Sequence, residues 1–520
     1  MTEKTPDPRS YARRLVKGST IVFTAFIASE VIGVFLRMFL TRSLTVAEYG
    51  LFYAVFALIS FFGLFRDIGL SSALVKYIPE FAVRKRFAEI KSSIASVLLA
   101  QAVFGLAVSV TLFVLSDHIA LAVFGTLGAS LGASLLIRIL SVWFFVEIFY
   151  SLASTVSRGF QNMPMYTSLS FFYIPLVLLS AVLFVGVGMR VGGVALAYLL
   201  AVTLISLFGL IFIIRGYPHV FKEKASVTRP LLKKLFAFAL PIFVGGLGGM
   251  IISYTDTLMI AMFRTLPEVG FYQAAQPIAH ILWYFPMAVG VVLFPMISEL
   301  WARGEQGLLG QALHFLTKFS FIFVMPAALV FIAFPEIVIN LLFGPAYLAG
   351  ATALQILGVT AIIYTPYLIL ADTMSGVGKP IIVTKIVALM ACLNIVGNGI
   401  LIPRYGIEGA AVATFAAHLL GLILLLYYTR KFVKFTVPSL PLFKTIVGVV
   451  LTLLLIFGLK SILVLPPWPE AFVVLIPSLL FYGVWILATK AITKDDLRLI
   501  ARIVPMPGWL VKAAGKLVGK

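Results

Sequence analysis

Glu30, Arg37, Arg66, Asp67, Arg138, Glu147 and Asp256 are ionisable residues embedded in long apolar stretches of the chain. A charge at the centre of a bilayer costs about 2.5–3.5 kcal/mol on insertion scales, so each of them is a candidate for function. Guanidinium groups grip phosphate oxygens with a two-pronged fork, which makes Arg37, Arg66 and Arg138 the candidates for an anion-binding substrate site. Arg138 sits towards the outer end of its stretch, within reach of the interface. The carboxylates Glu30, Asp67, Glu147 and Asp256 suit another task, binding a proton or cation to couple or gate movement. Their competing role is to neutralise a nearby arginine. Asp67 directly follows Arg66 and is expected to neutralise it, whereas Glu30 and Glu147 carry both readings. Glu30 and Arg37 lie seven apart and share a helical face; Glu147 is turned about half a turn from Arg138, so those two do not line one cavity.

Other chemistry finds little support. His118, His219, His280, His314 and His418 lack the spacing of metal ligands. His280 and His418 fall within apolar stretches, where a packed, hydrogen-bonded role competes with proton relay. The single cysteine, Cys392, excludes an intrachain disulfide or multi-thiolate site. Gly376-Val377-Gly378-Lys379 fails as a phosphate loop, because Thr373 stands where the first glycine is needed and Pro380 replaces the Ser or Thr. Asn394 and Asn398, four apart, read as helix-packing residues, with sugar contact as the alternative. No cofactor, metal or catalytic residue is expected. A membrane-embedded glycosyltransferase or polymerase would need a sizeable extramembrane loop bearing carboxylates or metal ligands, and the sequence offers none.

The elements that must position these groups are membrane helices. Hydrophobic residues make up 61% of the 520 and charged residues 12%, with a mean hydropathy of +1.09; soluble domains carry about 25% charged residues. A spanning helix needs roughly 20 apolar residues. Fourteen such runs are read near 18–41, 49–75, 92–115, 132–157, 165–188, 191–214, 236–262, 268–297, 314–334, 351–373, 380–402, 407–429, 441–460 and 468–489. Most of the 40 Lys and Arg then fall on one side, only Arg42, Arg190, Arg264, Arg404 and Lys460 falling on the other. Positive charge accumulates on the cytoplasmic side of inserted proteins, so both termini are expected there. The net charge of +20 is thus a topology signal with some attraction to anionic headgroups, and it does not suggest nucleic acid. The N-terminal basic-then-apolar run reads as a retained first helix. After the last span, Leu497, Ile500, Ile503 and Trp509 interspersed with Arg498, Arg502 and Lys512 predict an amphipathic helix on the inner surface, broken by Pro505 and Pro507.

The chain also repeats. Thr45, Glu48, Gly50, Phe52 and Ala54 recur 220 positions later as Thr265, Glu268, Gly270, Tyr272 and Ala274. Glu80 and Arg84 recur as Glu299 and Arg303, Pro164 as Pro380, and Gly193, Ala195 and Ala197 as Gly409, Ala411 and Ala413. A repeat with preserved direction implies two similar six-helix bundles, an arrangement suited to alternating access. The expected division is 1–215 for the first bundle, 216–235 for a basic cytoplasmic linker and 236–430 for the second bundle. Residues 431–520 then hold two extra helices and the basic tail. Asp256 stands opposite position 36, next to Arg37, so the two are expected to pair across the bundles in one state and separate in another. Pro241 with Gly245, Gly246, Gly248 and Gly249, and Pro277, Pro286 and Pro295, mark the seventh and eighth spans for bending.

Leu40-Thr41-Arg42-Ser43-Leu44, then Ala47-Glu48-Tyr49-Gly50-Leu51-Phe52, then Asp67-Ile68-Gly69-Leu70-Ser71-Ser72-Ala73-Leu74-Val75 resemble the opening of Wzx-type polysaccharide flippases. These belong to the multidrug/oligosaccharidyl-lipid/polysaccharide exporter superfamily, and Glu268-Val269-Gly270-Phe271-Tyr272 echoes the pattern. The resemblance covers the first twelve spans. It implies a V-shaped pair of bundles in the cell membrane, moving an undecaprenyl- or dolichyl-linked oligosaccharide from the inner to the outer leaflet. The implied partners are this glycan substrate, membrane lipids and glycosyltransferases of the same pathway. A lipid II flippase would share these features. A multidrug–cation antiporter of the superfamily usually has twelve spans and favours a carboxylate-dominated cavity. No catalytic residue carries over, because flipping breaks no bond.

Overall fold

The fold is all-α, as its apolar periodicity requires: no strand occurs among the described residues, which in this computed structural model are 8–463, 466–493 and 496. The amphipathic tail expected at 497–512 lies outside them. In chain order the first helices are α1 (Pro8–Ser43), α2 (Val46–Phe61), α3 (Gly63–Asp67), α4 (Leu70–Val83), α5 (Phe87–Val114), α6 (Ser116–Ser130), α7 (Ala133–Gly159), α8 (Met163–Gly186), α9 (Arg190–Gly216) and α10 (Pro218–Phe221). Then follow α11 (Arg229–Phe263), α12 (Leu266–His280), α13 (Tyr284–Ala302), α14 (Gln306–Ala333), α15 (Pro335–Phe343), α16 (Ala351–Gly376), α17 (Pro380–Phe432), α18 (Ser439–Ile462) and α19 (Pro467–Ala488).

Among the described residues, eleven helical segments are long and apolar enough to cross a membrane, with Phe472–Ala488 as a shorter apolar helix. Length alone therefore does not reproduce a count of fourteen. The run at 49–75 is not one helix: it breaks at Ile68 (φ 46°) and Gly69 (φ 75°) into α3 and α4. Gly69 is required there, because its left-handed backbone packs against Ala239 of α11, where a Cβ would lie 3.1 Å from the carbonyl carbon. The runs at 380–402 and 407–429 are two helical stretches within α17 that meet at Gly406, whose backbone is not helical (φ 58°, ψ −133°). α11 passes through Pro241 and its glycines without interruption. The break comes in the eighth span, where a 3₁₀ turn at Ile281–Trp283 separates α12 from α13 between Pro277 and Pro286. Prolines can remain in a membrane helix where neighbours satisfy the freed carbonyls.

The described residues form two compact units, those within 1–273 together with 394–410, and those within 274–393 together with 411–520. In the first, Leu74, Tyr77, Ile90, Ile94, Leu152, Ile213 and Leu235 bring α4, α5, α7, α9 and α11 together. Large apolar side chains such as Val103, Leu179, Leu183 and Ile211 point outward, while Ser96, Ser109, Ser141 and Ser157 are buried. That inverted distribution is expected where the surrounding solvent is hydrocarbon, because helix association there rests on small residues and hydrogen bonds.

In the second unit the two extra helices acquire a partner. Val449 of α18 and Tyr482 and Ile486 of α19 pack on Ile322, Met325 and Leu329 of α14. Trp485 Nε1 donates to the carbonyl of Lys444 at 2.9 Å, Lys460 pairs with Glu470 at 3.5 Å, and Lys318 of α14 pairs with Asp496.

Candidate functional site: polar groups inside the spans

Arg66 ends the short α3, and the guanidinium turns into the bundle. It forms an ion pair with Glu147 of α7, donates to the carbonyl of Phe144 at 2.7 Å, and lies 4.7 Å from the centre of the Phe144 ring. The expected neutralisation of Arg66 by Asp67 is not what occurs. Neighbouring helical residues point about 100° apart, so the two side chains diverge. Asp67 Oδ1 instead accepts from the Ser71 backbone at 3.0 Å, from Ser71 Oγ at 2.5 Å and from Gln101 Nε2 at 2.6 Å, which satisfies the exposed first turn of α4. Glu30, Asp67 and Glu147 border a common cavity of about 580 Å³.

Arg138 belongs elsewhere, at the start of α7, where it bonds Ser116 at 2.8 Å and pairs with Asp117 at 2.7 Å. Two of the three anion-site arginines are thus already matched with carboxylates. The third, Arg37, donates to the Tyr49 hydroxyl and the Gln273 carbonyl, each at 3.3 Å, and lies 4.5 Å from the centre of the Tyr53 ring.

Asp256 is fully buried in α11. Its carboxylate accepts from Tyr272 Oη at 2.6 Å, Asn398 Nδ2 at 2.7 Å and Asn394 Nδ2 at 3.1 Å. The expected ion pair between Arg37 and Asp256 is not formed: the two reach consecutive residues of α12, Gln273 and Tyr272. The repeat explains the divergence. Arg37 on Tyr53 and Asp256 on Tyr272 are both contacts across sixteen residues, as is Gln273 Nε2 on Thr257 Oγ1 at 2.6 Å. Each lead helix therefore sets its polar residue against its own following helix, and α12 adds the Gln273 carbonyl for Arg37 while α17 adds Asn394 and Asn398 for Asp256. Asn394 and Asn398, read from sequence as packing residues, are first partners of the carboxylate, and Asn398 Oδ1 remains buried without a hydrogen bond.

The loop copies are equally parallel. Thr45 and Glu48 form a reciprocal cap at the start of α2, and Arg190 clasps Glu48 at 2.7 and 2.8 Å. In the second copy Thr265 bonds Glu268 at 3.3 Å and Arg264 bonds it at 2.8 Å. Between them α2 and α12 cross at Gly50 and Gly270; a Cβ on Gly50 would lie 2.8 Å from the nitrogen of Gly270, and one on Gly270 would lie 2.7 Å from the carbonyl of Val46. These repeat-related glycines bring two backbones into contact.

In the second unit His280 stacks on Trp283 with ring centres 3.8 Å apart, Trp283 stacks on Tyr364 at 4.0 Å, and His418 Nδ1 lies 2.8 Å from the carbonyl of Thr414. Sequence reasoning missed Asp372 of α16, a carboxylate in a spanning helix beside Gly290. Its signal was plain, one acid in an otherwise apolar run.

A family described as "Polysaccharide biosynthesis protein" matches residues 15–301, and the MatE family matches 241–400. An uncharacterized membrane protein of Methanocaldococcus jannaschii is 31% identical over 82% of this chain and 86% of its own. A "probable low-salt glycan biosynthesis flippase" of Haloferax volcanii is 24% identical over 55% of this chain and 61% of its own. Among solved structures, a lipid II flippase in an inward closed conformation superposes with a TM-score of 0.73 at 17% identity, covering 89% of this chain and 98% of that one. An inward-facing multidrug transporter gives a TM-score of 0.62 at 17% identity over 81% and 97%. The chain belongs to the polysaccharide biosynthesis protein family, within the multidrug/oligosaccharidyl-lipid/polysaccharide exporter superfamily.

Proposed function

We propose that this protein is a flippase that carries a polyprenyl-linked oligosaccharide from the cytoplasmic to the outer leaflet of the cell membrane, by alternating access and at the expense of an ion gradient. The observation that carries the reading is the polar interior of the first unit, where carboxylates, guanidinium groups and hydroxyls surround space inside otherwise apolar spans. A hydrophilic headgroup crosses a bilayer only where such groups replace its water. Similarity to a glycan biosynthesis flippase supports a lipid-linked glycan as cargo. Both termini lie in the cytoplasm in this reading, and glycosyltransferases of the same pathway supply the cargo.

Asp256, Asn394 and Asn398 form the coupling group of this proposal. Asp256 accepts from amide and hydroxyl groups and itself carries one negative charge, which suits a proton or a monovalent cation. A second reading, export of organic cations, draws on the MatE match and on the carboxylates around the cavity; lipid II remains the alternative lipid cargo. Reconstitution into liposomes separates them. Transfer of a labelled polyprenyl-linked glycan between leaflets, with no movement of a fluorescent organic cation, is the expected result. The reverse pattern would replace the flippase by an antiporter.

A further inference from the structure

The cavity in the first unit is walled by α1, α4, α7 and α8, and its volume of about 580 Å³ lies within the roughly 300–1,000 Å³ typical of small-molecule sites. Its walls are unusual for a membrane bundle. Hydroxyl groups come from all four helices, among them Ser29, Ser71, Ser151 and Thr167. Thr167 Oγ1 is buried there without a hydrogen bond. The three bonds to Asp67 all reach Oδ1, and the half-buried carboxylate borders the cavity. Buried polar groups are nearly always satisfied, so the Thr167 hydroxyl implies a ligand or water that supplies the missing bond.

Resting on the flippase reading, we propose that this cavity holds a neutral or amino sugar of the glycan headgroup and rejects acidic sugars. Three features favour it. Carboxylates accept hydrogen bonds from neighbouring sugar hydroxyls, and three of them border the space. Tyr150 lines it and stacks on Tyr173 with ring centres 5.6 Å apart, giving a rigid aromatic wall of the kind that packs on the C–H face of a pyranose. The charge balance sets selectivity: Arg66 is consumed by Glu147, which among the described lining residues leaves Glu30, Asp67 and Arg158. Like charge at close quarters disfavours a uronic acid, whereas an amino sugar gains. Serine and threonine walls suit a polyhydroxylated ligand better than an apolar organic cation.

Saturation-transfer NMR on the purified full-length protein in micelles tests this without transport. Methyl glucoside and methyl glucosaminide are expected to receive saturation, and methyl glucuronide is not. Thr167→Val and Ser151→Ala, which remove a hydroxyl with little change of shape, are each expected to weaken sugar binding about tenfold with the melting temperature unchanged. Asp67→Asn is expected to narrow the preference against glucuronide; because Asp67 also caps α4, the two hydroxyl variants keep the test decisive if that variant unfolds. Equal binding of glucuronide, or tetraphenylphosphonium binding that no sugar displaces, would overturn the proposal. A wild type that flips glycolipid but shows no sugar binding sinks the cavity and leaves the flippase. One that binds sugars and flips nothing sinks the flippase and leaves the cavity.

Discussion

Removing one member of a buried ion pair strands the other charge, so Arg66 and Glu147 are expected to depend on each other. Their side chains are 10% and 20% exposed. Arg66→Met or Glu147→Gln alone is expected to lower stability by about 3–5 kcal/mol. The double change Arg66→Met with Glu147→Gln costs less than the sum, read from thermal unfolding in micelles. Simple additivity would show that the pair is not a unit. Arg37 and Asp256 behave differently. A charge swap between them is expected to restore no transport, because the two are not partners: Arg37 bonds Tyr49 and Gln273, whereas Asp256 bonds Tyr272, Asn394 and Asn398. Recovery of leaflet transfer in the swapped variant would revive a direct pair. The sequence disclosed which residues were buried charges but not their partners. Partner choice depends on side-chain direction across helices, and adjacent residues such as Arg66 and Asp67 point different ways.

The crossing of α2 and α12 depends on two glycines that the repeat had already aligned. Gly50→Ala and Gly270→Ala would each drive a methyl group into a facing backbone, an overpacking expected to cost about 1–3 kcal/mol. Gly249→Ala, where a Cβ meets nothing within 4 Å, is the control and is expected to leave the melting temperature unchanged. Equal effects at all three would contradict the close crossing. Beyond the spans, partial burial pushes the Asp496 carboxyl up, but its bonds to Lys318 and Thr493 outweigh this and hold it below the usual carboxylate range. A depressed native value means the stabilisation is present above the unfolded value of about 3.9 and is lost as pH falls through the native one. Acid unfolding near and below pH 4 is therefore expected to be shallower in Asp496→Asn; an unchanged profile would remove this tie between α14 and the segment after α19. Most spans were legible because twenty apolar residues are unmistakable. The break at Ile68–Gly69 and the short α6, α10 and α15 were not, since they arise from tertiary contacts or from apolar segments too short to register as spans.

At the scale of the molecule, orientation is the first claim. In a Cys392→Ser background, a cysteine at Thr265 is expected to react with an impermeant thiol reagent from outside sealed cells, and one at Lys224 is not. Ser116 is fully buried beneath Arg138, so the exposed Asp117 is the second site on that side. External labelling of Lys224→Cys would invert the topology. A few residues matched in the sequence reappear as similar loop contacts, facing glycines and sixteen-residue contacts. The copies differ in charge, arginine with tyrosines in one and aspartate with asparagines in the other. The most direct test is leaflet transfer of a labelled polyprenyl-linked glycan in liposomes under an imposed sodium or proton gradient, for wild type and Asp256→Asn. The account predicts that one gradient accelerates wild-type transfer severalfold and that the variant, still folded, gains nothing from it. Equal acceleration of both would contradict coupling through Asp256, and no transfer by the wild type under either gradient would contradict the flippase itself.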